Sequence, residues 1–411
     1  MAHKQASQTP SATSIDRRQF MAGAAAASLT IASPKFARAA DAGARIKLGM
    51  IGCGGRGGWI ANLFAANGNY QIVAAADYFQ DRVDGVGDKF SIPAKNRYTG
   101  LSGYKRLLEQ DLDAVAIISP PYFHPVQAAD AVDAGKHVYL AKPIAVDVPG
   151  CLSIEESGKK AAAKKQCFLV DFQTRANAFF IEAIRRVHNG DLGKLCFGES
   201  SYLTGRLGVQ APPESSPEAR LRNWVFDKAL SGDIITEQNI HTLDVMSWIM
   251  DTAPISACGT GGRKSRTDVG DCWDHFSLSF VYPDNVGITF CSKQYKEFGS
   301  QGGIRNRMFG TDGTLETEYG GNVLIRADGD KFYRGGATSS IYQEGAVNNI
   351  AAFHKSITEG DCGNATVPPS VRSNLITILG RTAAYTGRKV YWDKIIRSTD
   401  RIEGRLDGLK S

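Results

Sequence analysis

Residues 46–58 hold the feature that most constrains how this chain can fold. They read Ile-Lys-Leu-Gly-Met-Ile-Gly-Cys-Gly-Gly-Arg-Gly-Gly, an apolar run followed by the spacing Gly52-x-Gly54-x-x-Gly57. The apolar run suits a strand that is buried on both faces, and residues 59–66 are compatible with a helix. In such a strand–turn–helix unit the glycines allow a tight turn, close approach of the backbone to a pyrophosphate, and close packing of helix on strand. The free N–H groups at the helix N-terminus add an affinity for phosphate.

A second apolar run supports this interpretation. Residues 71–76 are predicted to form the next strand, which ends at Asp77, 20 residues after Gly57. A carboxylate at this place accepts hydrogen bonds from the adenosine ribose and repels the 2′-phosphate of NADP. The alternative is a glycine-rich turn without a ligand, since the chain contains 44 glycines. The spacing therefore predicts a dinucleotide site that binds NAD in preference to NADP.

Length and charge narrow the class of protein further. The 411 residues are enough for two domains, and 43% hydrophobic with 22% charged residues is ordinary for a soluble globular protein. The net charge of +6 arises mainly in residues 1–40, which carry five basic residues and one acidic residue, so the remainder has a net charge of +2. This balance gives no reason to expect nucleic acid or an anionic membrane as a partner.

The eight cysteines do not follow the spacing of a metal site. No Cys-x-x-Cys or Cys/His motif occurs in the sequence, so no zinc or iron–sulfur centre is predicted. Most of the cysteines are expected to be buried thiols that act as small apolar residues, and an occasional disulfide is left open.

The N-terminus is predicted to be a targeting signal. Residues 16–21 read Asp-Arg-Arg-Gln-Phe-Met, a twin-arginine pattern, and an apolar run over residues 22–32 leads to Ala37-Arg38-Ala39. The run is too short to span a bilayer, and the small residues would permit cleavage. Residues 1–39 are therefore expected to be a removable Tat signal of an exported, periplasmic protein without a later membrane segment. The alternative is a disordered basic tail.

The rest of the chain divides into two patterns. Alternating strands and helices predict an α/β Rossmann domain with a doubly wound parallel sheet over residues 40–170. Long β-rich stretches predict an α+β domain with a large, mostly antiparallel open sheet over residues 171–365, followed by a C-terminal helix and a tail, residues 366–411, that return to the Rossmann domain. One face of an open sheet needs a cover, and a second subunit would supply it, giving a homodimer or homotetramer.

Two predicted strands end at prolines on the ligand side of the sheet. Residues 113–119 form a buried strand stopped by Pro120-Pro121, and residues 137–141 form the next, which ends at Lys142-Pro143. Ligands of doubly wound sheets bind at the carboxyl ends of strands. Lys142 can hydrogen-bond a substrate hydroxyl there, and a pKa lowered by a positively charged nicotinamide would let it share in proton transfer. The alternative is a solvated lysine at a strand end.

Residues 232–248 contain the second candidate group. Glu237 and His241 are four residues apart and would share one face of a helix, and Asp244 is expected to reach the histidine ring. A histidine flanked by carboxylates suits the acceptance of a proton at neutral pH. The competing interpretation is a core histidine with a carboxylate in the first turn of its helix.

Together these motifs resemble the glucose–fructose oxidoreductase/inositol dehydrogenase/MocA (Gfo/Idh/MocA) family over nearly all of residues 45–395. The matching pieces are the glycine loop, Asp77, Ser119-Pro120-Pro121 with His124, residues 134–143, His241-x-x-Asp244-x-x-x-Trp248 and residues 309–316. The resemblance implies an oxidoreductase that oxidises a secondary hydroxyl of a sugar or cyclitol and passes hydride to a nicotinamide. The sequence departs from the family pattern twice, because Ala141 replaces a glutamate and Glu237 replaces an aspartate.

The resemblance implies a role for each candidate residue. His241 would accept the hydroxyl proton, Glu237 would orient His241, and Lys142 would polarise the substrate oxygen. The residues expected to hold NAD are Gly52, Gly54, Gly55, Arg56, Gly57, Asp77, Ser119, Pro120, His124 and Lys142. For five further residues a sugar contact and a core or surface role are equally open: Tyr202, Arg206, Trp224, Trp273 and His275.

Export would separate the protein from free NAD, so the cofactor is expected to stay bound and to be recycled in place. Oxidation of a donor sugar followed by reduction of an acceptor would achieve this. A redox-neutral, NAD-dependent glycosidase would also achieve it, by transient oxidation of a sugar hydroxyl, elimination, hydration and return of the hydride. A third alternative is a non-catalytic sugar-binding protein with a relic site.

Overall fold

The structure, a computed structural model, describes residues 45–212, 216–296, 298–299, 301–320 and 322–411. The predicted Tat signal lies outside the described residues. Within the described part of the chain, no helix combines the length and the apolar character needed to cross a membrane.

Strands and helices alternate in the first part of the described chain. In order they are β1 (Ile46–Ile51), α1 (Gly55–Asn67), β2 (Tyr70–Asp77), α2 (Gln80–Lys89), β3 (Arg97–Thr99), α3 (Gly103–Leu108), β4 (Ala114–Ile117), α4 (His124–Asp133), β5 (His137–Ala141), α5 (Val148–Ala163) and β6 (Phe168–Asp171). The strands form one parallel sheet in the order β3-β2-β1-β4-β5-β6. The predicted doubly wound sheet is thereby confirmed.

The strand order determines where on the sheet a ligand can bind. Because the order reverses between β1 and β4, the loops after these two strands diverge and leave a cleft at the carboxyl edge. Gly52 follows β1 directly, Ser119 follows β4, and Lys142 follows β5. The residues predicted to bind the ligand therefore belong to neighbouring loops on one edge of the sheet.

The second part contains a larger sheet. Its elements are α6 (Ala178–His188), β7 (Leu195–Thr204), α7 (Pro217–Arg222), α8 (Lys228–Ser231), α9 (Ile234–Glu237), α10 (Ile240–Met250), β8 (Ser256–Gly262), β9 (His275–Val281), β10 (Gly287–Gln294), β11 (Gly303–Gly310), β12 (Gly313–Glu318), β13 (Asn322–Ala327), β14 (Tyr333–Ala337), α11 (Ile341–Glu359), α12 (Val367–Thr386), β15 (Val390–Tyr391) and α13 (Trp392–Ile395). The strand order is β14-β13-β12-β11-β7-β10-β9-β8-β15, and within it β7 and β10 run parallel while the other pairs are antiparallel. The predicted open sheet is confirmed.

The two sheets share one apolar core. Buried side chains of the parallel sheet, of α12 and of the inner face of the open sheet belong to the same cluster, and residues 45–411 form one compact unit. The tail contacts the first part again, because Leu101 N donates to Lys410 O (3.1 Å) and Ile402 N donates to Asp147 Oδ2 (2.9 Å). The division at residues 170 and 365 remains a prediction.

Candidate active site

A cavity of about 500 Å³ opens at the carboxyl edge of the parallel sheet. Its lining includes Gly52, Gly54, Gly55, Arg56, Gly57, Asp77, Ser119, Pro120, Lys142 and Glu237. The predicted NAD-binding residues therefore lie together around this cavity, with the exception of His124. His241 also lies outside the lining.

At two positions, the glycine loop has no room for a side chain. Gly52 has a φ of +90°, and a Cβ there would lie 2.6 Å from the carbonyl carbon of Ile118. A Cβ on Gly57 would lie 1.9 Å from the carbonyl oxygen of Gly52, whereas a Cβ on Gly55 would meet no atom within 4 Å. The loop is thus folded tightly against β4 and the start of α1, with its outer side open to the cavity. This is the cradle that a pyrophosphate requires.

Asp77 lines the same cavity at the end of β2, where the adenosine ribose would bind. Its Oδ2 accepts a hydrogen bond from Cys53 N (2.8 Å) and its Oδ1 from Phe79 N (3.0 Å), so the carboxylate ties the glycine loop to the end of β2. Burial raises the pKa of Asp77, against the two backbone N–H groups that lower it. Each oxygen keeps a second lone pair for a ribose hydroxyl. The residues present therefore fit a bound dinucleotide.

Lys142 stands at the other end of the cavity. Its Nζ donates to the backbone oxygen of Glu237 (2.6 Å) and lies 3.4 Å from Glu237 Oε1. Only 9% of the residue is exposed. Burial lowers the pKa of Lys142, Glu237 opposes this, and the guanidinium of Arg56 lowers the pKa further. The lysine is held in one place and gives up a proton more readily than a solvated lysine.

The segment that carries Glu237 bends sharply on both sides. Gly232 and Asp233 both have positive φ values before α9 begins, and the buried Asp233 caps α9 by accepting from Ile234 N (2.6 Å). Helix α9 then ends at Glu237, and α10 begins at Ile240. The prediction that Glu237 and His241 share one helical face is therefore wrong, because a turn separates them. Glu237 is directed to Lys142 rather than to the histidine.

Asp244 is also placed differently from the prediction. Its carboxylate accepts hydrogen bonds from Arg175 Nε and Nη2 at 2.9–3.0 Å and from Ser373 Oγ at 2.7 Å. It is fully buried in this ion pair. Asp244 therefore stabilises the packing of α10 and does not hold the ring of His241.

His241 is a buried, neutral imidazole. Its Nδ1 has no hydrogen-bond partner among the described residues, and the ring packs against Tyr319 with 5.1 Å between centroids. Burial, together with the charges of Lys142 and Arg56, lowers its pKa well below the usual range. Lys142 and His241 are thus close enough to interact electrostatically, and the histidine keeps a free lone pair at neutral pH.

His124 does not line the cavity but contacts two of the loops that do. Its Nε2 lies 2.7 Å from Ser119 O and its Nδ1 lies 2.8 Å from Pro143 O. Burial lowers its pKa to about 4, outweighing the two carbonyl oxygens, which raise it. His124 therefore joins the loop after β4 to the loop after β5, and a direct contact with the cofactor, as predicted, does not follow from its position.

Sequence reasoning missed a carboxylate at the site. Asp171 is fully buried and pairs in register with Ala141 on the neighbouring strand. Its Oδ2 lies 2.5 Å from Arg56 Nη2, and its Oδ1 accepts from Asn349 Nδ2 at 2.8 Å. Its charge also raises the pKa of Lys142. The available signal was an acidic residue directly after the apolar run of residues 168–170, at the end of the region predicted to form the Rossmann domain.

The open candidates for sugar contact separate into two groups. Trp224 lines the cavity, and Tyr202 is buried near Glu237. Arg206 pairs instead with Asp268, Trp273 stacks on Tyr385, and His275 pairs with Asp274. Of the five, only Trp224 and Tyr202 lie near the candidate site.

A glycine cradle, a carboxylate at the ribose position and a buried lysine beside a neutral histidine define a class of protein: an oxidoreductase that uses a nicotinamide dinucleotide. Residues 46–172 match the profile of the oxidoreductase family with an NAD-binding Rossmann fold (GFO_IDH_MocA), and residues 180–316 match the GFO/IDH/MocA C-terminal domain. The chain belongs to the Gfo/Idh/MocA family, as its motifs predicted. It is a dehydrogenase-type oxidoreductase with NAD as its cofactor.

Two curated relatives illustrate the range of the family. Inositol 2-dehydrogenase of Rhizobium meliloti (strain 1021) is 23% identical over 346 residues, which is 82% of this chain and 96% of the relative. An α-N-acetylgalactosaminidase of Shewanella oneidensis is 28% identical over 163 residues, which is 38% of this chain and 35% of the relative. The chain thus spans one relative almost fully and about a third of the other.

Solved structures share the whole fold. Aldose–aldose oxidoreductase from Caulobacter crescentus, complexed with glycerol, superposes with a TM-score of 0.66 at 20% identity, covering 84% of this chain and 99% of that chain. Levoglucosan dehydrogenase in complex with NADH and levoglucosan gives a TM-score of 0.66 at 16% identity, with the same coverage. At these identities the likeness establishes the fold.

Proposed function

We propose that this protein oxidises a secondary hydroxyl of a sugar, cyclitol or glycoside, with NAD held tightly in the cavity. The observation that carries the proposal is Lys142, fixed by Glu237 at the wall of the cavity beside a neutral, buried His241. The inositol dehydrogenase relative supports a polyol substrate.

The residues of the chain would divide the work as follows. The glycine loop and Asp77 would bind the dinucleotide, which when bound accepts a hydride from the substrate carbon. Lys142 would donate a hydrogen bond to the substrate oxygen, and a ring nitrogen of His241 would accept the hydroxyl proton. Glu237 would keep Lys142 in place, a role that replaces the orientation of His241 inferred from sequence.

Turnover of NAD with a panel of cyclitols and sugars tests this proposal directly. We expect NADH to form, at 340 nm, with at least one member of the panel, and the Lys142→Ala variant to lose that signal. Failure of the protein to bind NAD or to oxidise any polyol would instead support the sugar-binding alternative.

A redox-neutral glycosidase is the second candidate, supported by the similarity to the α-N-acetylgalactosaminidase. In this reaction the hydride that leaves the sugar is later returned, so no external acceptor is needed. Incubation with aryl glycosides in the absence of added cofactor separates the two functions. Release of the phenol favours the glycosidase, and its absence alongside NADH formation favours the dehydrogenase.

Export with a retained cofactor is proposed from the sequence of residues 16–39. The cradle around Gly52 and Gly57 supports tight retention, because its backbone packs closely against the residues after β4. Native mass spectrometry of the exported protein should detect one nicotinamide dinucleotide per chain. Replacement of Arg17-Arg18 by Lys-Lys should leave the protein in the cytoplasm, and unchanged export would refute a Tat signal.

A homodimer or homotetramer through the open sheet is also proposed. The outer face of β7 and β11 carries Phe197, which is 49% exposed and stacks on Phe309 at 4.5 Å. Ion pairs such as Arg305–Glu318 surround this apolar centre, a pattern typical of subunit interfaces. Light scattering should give a dimer or tetramer that Phe197→Asp dissociates. The control Val126→Asp, at an exposed site on α4, should retain the assembly.

A further inference from the structure

Cys167 and Cys362 meet at the edge of the parallel sheet although they are 195 residues apart in sequence. Cys167 directly precedes β6, and Cys362 lies in the connection between α11 and α12. Their Sγ atoms are 2.8 Å apart, which is closer than two non-bonded sulfur atoms normally approach. Cys167 is buried and Cys362 is partly exposed, so an oxidant in solution can reach the pair.

The surrounding backbone holds the two cysteines in this position. The connection between α11 and α12 runs along β6, which is an edge strand. Side chains of this connection accept hydrogen bonds from the N–H groups that β6 exposes at the edge. Asn364 Oδ1 accepts from Phe168 N (2.7 Å), and Thr366 Oγ1 accepts from Val170 N (3.0 Å). The approach of Cys362 to Cys167 is therefore part of an ordered edge.

A metal site is the competing use of these residues, because His137 lies beside them. Its Nδ1, however, accepts a hydrogen bond from Cys167 N (2.9 Å). Zinc binds each thiolate at about 2.3 Å, which holds two sulfur ligands of a tetrahedral site roughly 3.7 Å apart. The sulfur atoms here are closer than such a site allows, and the geometry favours a direct bond between them.

We propose that Cys167 and Cys362 form a disulfide bond in the mature protein. The bond would form by exchange with a protein or small-molecule disulfide. One cysteine thiolate attacks that disulfide and releases its first thiol, and the second cysteine then attacks the resulting mixed disulfide and releases the second thiol. The two cysteines are oxidised, and the oxidant leaves as two thiols that carry the two protons. The disulfide would link the α11–α12 connection covalently to the start of β6, the strand that ends at Asp171. An oxidising compartment, as the N-terminal signal predicts, would allow it to persist.

Peptide mapping of the exported protein tests the bridge. After alkylation in denaturant without reductant, trypsin cleavage at Lys165, Arg175, Lys355 and Arg372 releases residues 166–175 and 356–372. We expect these peptides as one linked species that separates on reduction. Recovery of both peptides with alkylated cysteines would overturn the proposal, as would bound zinc in stoichiometric amount with no linked species.

Thermal unfolding provides a second, independent readout. Reductant should lower the melting temperature of the wild type, and Cys362→Ser should melt at the reduced value with or without reductant. The control Cys258→Ser, an exposed cysteine on β8, should keep the wild-type response. An equal effect of reductant on the wild type and on Cys362→Ser would contradict the bridge.

Discussion

Burial lowers the pKa of Lys142 and so makes it suited to proton transfer. A strand-end lysine in water has a pKa of about 10.4 and would stay protonated throughout the reaction. Burial and Arg56 lower the pKa of Lys142, while Glu237 keeps its Nζ in one position. The side chain can then both donate a hydrogen bond to the substrate oxygen and exchange a proton.

Lys142→Ala is expected to lower kcat by roughly 10²- to 10⁴-fold, the usual contribution of a positioned acid–base group. Binding of NAD should weaken far less than kcat falls, because Lys142 is one contact among many and the glycine loop and Asp77 are untouched. Steady-state kinetics and fluorescence titration with NADH measure the two effects. Lys160→Ala, an exposed lysine paired with Asp133, serves as the control. Near-normal kcat in Lys142→Ala would remove the lysine from the mechanism.

Two neighbouring glycines at the start of α1 offer a matched pair of substitutions. A Cβ on Gly57 would overlap the carbonyl oxygen of Gly52 at 1.9 Å, whereas a Cβ on Gly58, which does not line the cavity, would meet no atom within 4 Å. Gly57→Ala is therefore expected to weaken NAD binding by at least about tenfold through displacement of the loop, whereas Gly58→Ala should keep the affinity of the wild type. Isothermal titration with NAD, after any retained dinucleotide has been removed, measures both affinities. Equal affinities would show that the loop adapts, contrary to this argument.

At the scale of elements, the pairing of β5 with β6 places a carboxylate next to Ala141, where the family pattern has a glutamate. The family pattern has a glutamate at position 141, where this chain has alanine, and Asp171 is the register partner of that position. Its carboxylate meets Arg56 and raises the pKa of Lys142. The negative charge near the lysine is thus supplied from the neighbouring strand.

Asp171→Asn is expected to have two consequences. It leaves the partly exposed Arg56 guanidinium without its carboxylate, which should cost roughly 1–3 kcal/mol of stability, less than the loss of a partner in a fully buried ion pair. It also removes a charge that raises the pKa of Lys142, so the alkaline limb of the kcat/KM profile should move to lower pH. Urea unfolding and pH-dependent kinetics check the two effects, with exposed Asp133→Asn as the control. An unmoved alkaline limb would separate Asp171 from the lysine.

The elements that could be predicted were those with a periodic apolar pattern. The strand His137–Ala141 has the bounds expected from sequence. Strand β8 reads Ser-Ala-Cys-Gly-Thr-Gly-Gly and was not predicted, because its small residues carry no alternation and its place depends on pairing with β9. The break between α9 and α10 was missed because a spacing of four residues does not reveal a turn. Asp171 was missed because strand register becomes visible only in the folded sheet.

At the scale of the whole molecule, two neutral histidines, the buried His124 and the half-buried His137, make stability depend on pH. The pKa of His124 and that of His137 are each lowered to about 4 by burial, whereas a histidine in the unfolded chain titrates near 6.5. The unfolded state therefore binds more protons between these two values. The stability that these groups contribute is complete above about pH 6.5 and is lost as the pH falls toward 4.

The buried His124 should thus cost roughly 3 kcal/mol of stability by pH 4, at about 1.4 kcal/mol per pKa unit, and the half-buried His137 should cost less, because solvent screens part of its surroundings. We expect the free energy of unfolding, measured with urea between pH 7 and pH 4.5, to fall steadily. His137→Gln removes one titrating group and should flatten that slope even if it lowers stability at pH 7, since its ring accepts a hydrogen bond from Cys167 N. His188→Gln, at an exposed position, should leave the slope unchanged. A His137→Gln slope equal to that of the wild type would mean that the acid sensitivity arises from carboxylates, and the His137 imidazole would then have no part in it.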